Sequence, residues 1–216
     1  SEMCIRDRFM ILLLELFLVT PAYLARVFGM ESAYFGTDFE FYERAYKRLV
    51  NGGNPYNEKG FLYPPTFFLI YPAIRIPLIY TFFLIFGVII GNELLIKKYK
   101  LERYRWFIHG FVLLSQPFKT NLFYMQINHF LYLLISCFLY FFDKNSLVSS
   151  FSLSLAACTK FFPFITGLFN FRKKDFLVKF ILTSIALCGM TCLFFPTYFW
   201  TDFVKRMVWY ENCLLY

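Results

Sequence analysis

The sequence predicts an all-α fold: a polytopic transmembrane helical bundle of about seven membrane segments, with an external loop that carries an amphipathic helix. Three observations predict it. Of the 216 residues, 59% are hydrophobic and 17% charged, whereas soluble domains run to about 45–50% and about 25%. Aromatic residues make up 24% of the chain, with 32 Phe and 16 Tyr, more rings than a soluble core of this size can hide. The Lys and Arg residues that give the net charge of +8 fall in short clusters between apolar runs. That pattern sets membrane topology and argues against a nucleic-acid partner.

The first eight residues, Ser1 to Arg8, read as a non-native leader similar to translated sequencing-adapter sequence, and they are set aside. Residues 9–216 then form a single transmembrane domain, which is expected to be truncated at both ends. A bilayer core needs about 20 mostly apolar helical residues, and Phe9 to Phe28 supplies the first membrane helix. Gly29 to Tyr63 is too polar to span and forms the external loop. Within it, Phe39, Tyr42, Tyr46 and Leu49 recur at spacings of three and four, one face of a helix over Asp38 to Val50. Glu43 and Lys47 add an i,i+4 pair to that helix, which suits a membrane surface.

Pro64-Pro65 opens a short helix over Thr66 to Ile74, and a full span follows from about Leu78 to Ile96. Trp106 to Gln116 is apolar but short, and Pro117 kinks or ends it. Leu122 to Phe142 reads as one span, Asp143-Lys144-Asn145 as a turn, and Phe176 to Phe195 as another span. Pro196 to Tyr216 is polar and aromatic, as at an interface.

Leu147 to Phe171 is interrupted by Lys160 and Pro163, and the charge pattern decides how it runs. With the basic 97–105 cluster in the cytoplasm, the 29–63 loop, with five acids and four bases, lies outside. Arg172, Lys173 and Lys174 return inside only if 147–171 is a hairpin with its tip near Lys160 to Pro163. A first arm of about 14 residues rises about 21 Å, so the tip belongs in a protein-lined cavity. The segments at 29–63, 117–125 and 196–216 and the hairpin tip then share one side.

Six cysteines occur without CxxC or Cys/His ligand spacing, so no disulfide frame, metal site or cofactor is expected. His109 and His129 have no carboxylate at a recognisable spacing and read as core or interface residues.

The external loop carries Thr37, Asp38, Phe39, Tyr42 and Ala45, then Gly52, Pro55 and Tyr56, then Tyr63, Pro64 and Pro65. In this order it resembles glycosyltransferase family 87, of the GT-C superfamily of polyprenyl-phosphate-sugar-dependent enzymes. That family shows S/T-D-F-x-x-Y-x-x-A, then G-x-x-P-Y, then Y-P-P. Pro117 followed by Gln126 and Asn128 is similar to its P…G-Q-x-N element, with Met125 standing where the Gly would be. Ala157, Lys160 and Pro163 match A-x-x-K-x-x-P. The resemblance covers roughly residues 30–205 and implies a GT-C-like fold in a multi-pass protein of the prokaryotic plasma membrane. It also implies transfer of a hexose, with mannose expected, from a polyprenyl-phosphate donor to a glycan or glycolipid acceptor, with inversion, on the non-cytoplasmic face. Asp38 occupies the position of the proposed catalytic Asp.

The chemistry of the residues agrees with this. A hydroxyl acceptor needs a base, and a part-buried carboxylate at an interface serves. A phosphate leaving group needs nearby positive charge, for which Lys160 and Arg75 are the candidates. Gln126 and Asn128 offer hydrogen bonds, and Tyr42, Tyr56 and Tyr63 offer rings for a sugar. Each has a plainer reading. Asp38 can cap its helix, Glu40 and Glu43 form a solvated face, and Lys160 snorkels. Gln126 and Asn128 join helices, and the tyrosines belong to an interfacial belt. The rival function is a transporter or flippase of a lipid-linked precursor, because charges and prolines within membrane segments also mark transporters.

Overall fold

The computed structural model describes residues 36–58, 61–168 and 173–214. The leader at 1–8 and the membrane helix expected at Phe9 to Phe28 lie outside these residues. Ten α-helices and two short 3-10 turns make up the described residues, which contain no strand. The helices are α1 (Thr37–Val50), α2 (Phe67–Ile74), α3 (Pro77–Tyr99), α4 (Arg105–Leu114), α5 (Gln116–Phe123), α6 (Asn128–Phe141), α7 (Ser146–Thr159), α8 (Pro163–Leu168), α9 (Lys174–Phe194) and α10 (Tyr198–Leu214).

The centre is a row of four helices in the order α3, α6, α7, α9. Small residues let them approach. A Cβ on Gly87 of α3 would meet the His129 carbonyl of α6 at 3.3 Å, and one on Gly91 would meet the Tyr132 ring at 2.7 Å. α7 is rich in Ser and Ala, and its hydroxyls bond to main-chain carbonyls on both neighbours. Ser149 Oγ donates to Phe138 O at 3.1 Å, Ser150 Oγ to Phe176 O at 3.1 Å and Ser154 Oγ to Phe180 O at 3.0 Å. Small residues and interhelical hydroxyl bonds are what pack helices where lipid removes the hydrophobic drive between them.

The expected break between α7 and α8 is present. The chain turns at residues 160–162, and α8 packs back on α7 and α9. Lys173, at the start of α9, reaches Asp143 at 2.5 Å, and Lys98, at the end of α3, reaches the same carboxylate at 2.6 Å. The ends of α3 and α6 and the start of α9 therefore meet at one end of the bundle, together with both basic clusters. These two ammonium groups hold the Asp143 carboxyl down at about 2.

Two sequence readings need correction. Leu122 to Phe142 is not one span: α5 ends at Phe123, Met125 takes φ 53°, and α6 begins only at Asn128. Trp106 to Gln116 is not one segment either. Ser115 separates α4 from α5, and its hydroxyl caps α5 by accepting Phe118 N, so the expected loop at 117–125 is largely helical. Among the described residues, α3 and α9 are the two helices long and apolar enough to cross a membrane. α6 and α7 are apolar but 14 residues each, about 21 Å long. Seven full-length spans are thus not seen among the described residues, where short and broken helices take the place of several.

At the other end of the bundle, α1 lies on α2 and α3 through an aromatic core of Phe39, Tyr42, Tyr63, Phe67, Tyr71 and Tyr80. Ring centroids here lie 4.9–6.4 Å apart, the range in which tilted and edge-on pairs attract. α1 shows the expected face: Phe39, Tyr42 and Ala45 are buried, and Tyr46 and Leu49 are half-buried. Glu43 pairs with Lys47 at 3.5 Å and accepts the Tyr71 hydroxyl at 3.0 Å.

Candidate active site

Two backbone turns build the site. The first is at Gly36, whose φ of 69° precedes α1 and suits a residue without Cβ. Gly36 N donates to Phe123 O at 2.8 Å and Asp38 N to Tyr124 O at 3.2 Å, so the start of α1 is tied to the last carbonyls of α5. The cap position belongs to Gly36, and no side chain caps α1. Asp38 lies inside the first turn, and its carboxylate is committed to Gln126 rather than to a cap.

The second turn ends α5. Gln126 N donates to Asn121 O at 2.8 Å and Met125 N to Leu122 O at 3.0 Å, the pair of bonds that defines a Schellman ending. Met125 holds the left-handed position that glycine usually fills. The turn swings Gln126 towards Asp38 and brings Asn128 to the top of α6. The Asn128 amide nitrogen donates to Gln126 Oε1 at 2.7 Å and to Asn121 Oδ1 at 2.8 Å, and its oxygen accepts from Lys160 Nζ at 2.8 Å. Lys160 comes from the α7–α8 turn. Asp38, Gln126, Asn128 and Lys160 thus form one hydrogen-bonded arc drawn from four separate segments.

The tyrosines stand behind this arc. The Tyr63 ring lies 5.9 Å from Lys160 Nζ, and its hydroxyl pairs with that of Tyr42 at 2.8 Å. Tyr56 OH donates to Tyr63 O at 3.0 Å. Tyr42 and Tyr56 are 1% and 2% exposed, so their rings are packed against protein on both faces. α10 clamps Tyr56: Phe199 and Phe203 pack on its ring, Arg206 Nε donates to its carbonyl at 2.8 Å, and Asn54 Nδ2 donates to Asp202 at 2.6 Å. Arg75 is not brought to the arc. It is exposed at the end of α2, with its guanidinium over the Tyr46 ring at 5.6 Å.

The electrostatics set Asp38 apart. Burial raises its carboxyl above the ordinary value of 3.8, against the hydrogen bond from Gln126 and the charge of Lys160, which both lower it. Burial also lowers the Lys160 ammonium, and Asp38 opposes that shift. The Tyr63 hydroxyl is pushed up to about 12, chiefly by burial, and stays neutral. A carboxylate with raised basicity beside an ammonium can take a proton from a hydroxyl while the cation receives an anion.

Sequence spacing missed several groups. Asn121 holds Asn128 from the last turn of α5, and its signal was the left-handed Met125 that follows. His109, expected to lack a carboxylate, has one: Glu93 Oε1 lies 3.1 Å from its Nε2 and 3.1 Å from Arg105 Nε, while Asn92 faces its Nδ1 at 3.3 Å. Glu93 lies in an apolar span, where an ionisable group needs a partner, and that was the available clue. His129 is buried against Phe118, as a core residue would be. Among the described residues no group of three or more His, Cys, Asp or Glu is placed to hold a metal ion.

The profile of glycosyltransferase family 87 matches residues 61–213. The chain belongs to this family. The matched region takes in Tyr63, Gln126, Asn128 and Lys160, and Asp38 joins them from the segment before it. Family 87 proteins are membrane-associated glycosyltransferases, which act on a sugar donor and an acceptor. No curated protein and no solved structure matches the chain.

Proposed function

We propose that this family 87 protein transfers a hexose, with mannose as the favoured sugar, from a polyprenyl-phosphate donor to an acceptor hydroxyl on the non-cytoplasmic face. The observation that carries the reading is the arc from Asp38 through Gln126 and Asn128 to Lys160. Asp38 takes the proton of the acceptor hydroxyl as its oxygen attacks the anomeric carbon. The bond from that carbon to the phosphate oxygen breaks, and its electron pair leaves with the phosphate. Lys160 meets the charge on that group, and the anomeric centre inverts because attack and departure are in line. Gln126 and Asn128 hold base and cation apart at a fixed span, which keeps them from collapsing into an ion pair with each other.

The face follows from charge. Lys98 and Lys173 converge on Asp143 at the far end from Asp38, together with the basic clusters at 97–105 and 172–174. By the positive-inside pattern that end is cytoplasmic, and the arc opens outside. The hydrophobic donor tail then lies between helices, within the bilayer.

The test is transfer from radiolabelled polyprenyl-phosphate-mannose in membranes that contain the full protein. Asp38→Asn keeps the contact with Gln126 but removes the base, and is expected to lower the rate by about 10²–10⁴. An undiminished rate removes Asp38 from the chemistry.

A further inference from the structure

The glycosyl-transfer reading leaves unused the most unusual polar group in the protein. His129, the second residue of α6, is 4% exposed, and neither ring nitrogen has a hydrogen-bond partner among the described residues. Phe118 stacks on one face of the imidazole at 4.8 Å, with the planes 15° apart, so the ring is fixed and only its edge is left to bond. A buried donor or acceptor without a partner is costly, and few are left so without a reason.

His129 lines a cavity of about 270 Å³ between α3, α4, α5 and α6. The volume is far more than one water occupies and near the lower end for small-molecule sites. Val88 and Phe118 make it partly apolar, while Asn121, Asn128 and Tyr132 add polar edges. Asn121 gives its amide oxygen to Asn128, which leaves its amide nitrogen as a donor. No charged side chain lines the space.

We propose that this cavity is a subsite for a neutral, hydroxyl-bearing ring of the acceptor, with His129 and Asn121 as its hydrogen-bonding groups. The assignment rests on the reading above for the name of the ligand, but its geometry stands alone. The imidazole offers one donor and one acceptor, and the Asn121 amide offers donors, a set that matches vicinal hydroxyls. The absence of a cation in the lining excludes the donor's phosphate, which Lys160 would meet instead. Asn128 is the shared wall: its oxygen holds Lys160, and it lines this cavity as well. Gln126, bonded to Asn128, also bonds Asp38, so a ring seated here is within reach of the base through its rim hydroxyl.

The test uses methyl α-mannopyranoside and, as a charged control, methyl glucuronide, each titrated onto the purified full protein by saturation-transfer NMR. The neutral glycoside should bind and the charged one should not. His129→Leu should weaken neutral binding about tenfold, while His129→Gln, which keeps a donor and an acceptor, should stay within about threefold of wild type. In the transfer assay His129→Leu should raise KM for the acceptor and leave KM for the lipid donor unchanged. Binding that depends on His129 with no transfer from any lipid-linked donor would keep the subsite and sink the transferase reading. Transfer that proceeds while glycoside binding ignores both His129 variants, with each folded by its melting curve, would overturn the subsite alone. Equal binding of the charged glycoside would overturn its assignment to a neutral ring.

Discussion

Met125 gives a test in which backbone and side chain pull against each other. Its φ of 53° lies in the left-handed region, and its side chain is 1% exposed. An L-residue pays roughly 1–2 kcal/mol to stand there, while burial of a Met side chain contributes about 1.5–3 kcal/mol. Met125→Ala keeps the strain and loses the packing, so it should destabilise by about 2–5 kcal/mol. Met125→Gly loses the packing too but relaxes the turn. Where φ is positive, Ala is worse than Gly by about 1 kcal/mol, with the unfolded-chain entropy already counted. The glycine variant should therefore melt about 2–4 °C above the alanine variant in a chain of this size. At an ordinary helical position the order is reversed, with Gly below Ala by about 0.5–1 kcal/mol. Thermal unfolding in detergent micelles reads the order directly. An alanine variant as stable as the glycine variant would falsify the left-handed turn, and with it the account of how Gln126 is aimed at Asp38. Transfer activity should follow the same order, because the turn sets the arc.

Further outcomes are expected. Asp38 must be ionised to act as a base, so transfer should fall as pH drops through a value above the ordinary 3.8. Lys160→Met removes a charge that favours the carboxylate, so that acid limb should move to higher pH as the rate drops; a limb that stays in place refutes the coupling. The folded state holds the Asp38 proton more tightly than the unfolded chain does, so this group detracts from stability once pH rises through the same window. Asp38→Asn should accordingly melt no lower than wild type at neutral pH. Glu58 bonds Arg44 at 2.7 Å and Arg48 at 3.0 Å, with both guanidinium groups about half exposed; Glu58→Ala should cost about 1 kcal/mol after screening, read by denaturant titration. In a cysteine-free background, Asn51→Cys should react with an impermeant maleimide from outside, and Asn145→Cys only after permeabilisation. Labelling of both from one face would invert the topology argued from Lys98 and Lys173.

Some of this was legible in the sequence because it depends on periodicity. The buried face of α1, the spans α3 and α9 and the hairpin turn at Lys160 follow from where apolar residues recur and where a charge interrupts them. The break inside Leu122 to Phe142 was hidden because Met125 is apolar, and hydropathy continues across a residue whose backbone has turned. Only the Met in place of the family's Gly marked the spot. The capping role open to Asp38 was excluded by Gly36, whose backbone takes that position and frees the carboxylate for Gln126. Arg75 and Lys160 both looked like cations near prolines, and nothing local separates one that faces solvent over Tyr46 from one held by Asn128. The Glu93–His109 contact joins two helices 16 residues apart in sequence, and no fixed spacing encodes it.

The shortness of α6 and α7 has a consequence for how a lipid substrate meets the protein. Two arms of about 21 Å stand in a hydrocarbon layer of about 30 Å. Measured from the cytoplasmic surface, Asn128 and Lys160 then stop roughly 9 Å below the opposite headgroup plane. A long-chain isoprenoid phosphate need not be lifted out into water to reach them. It can slide sideways, with its anionic head drawn down into a dent that the truncated helices leave in the bilayer.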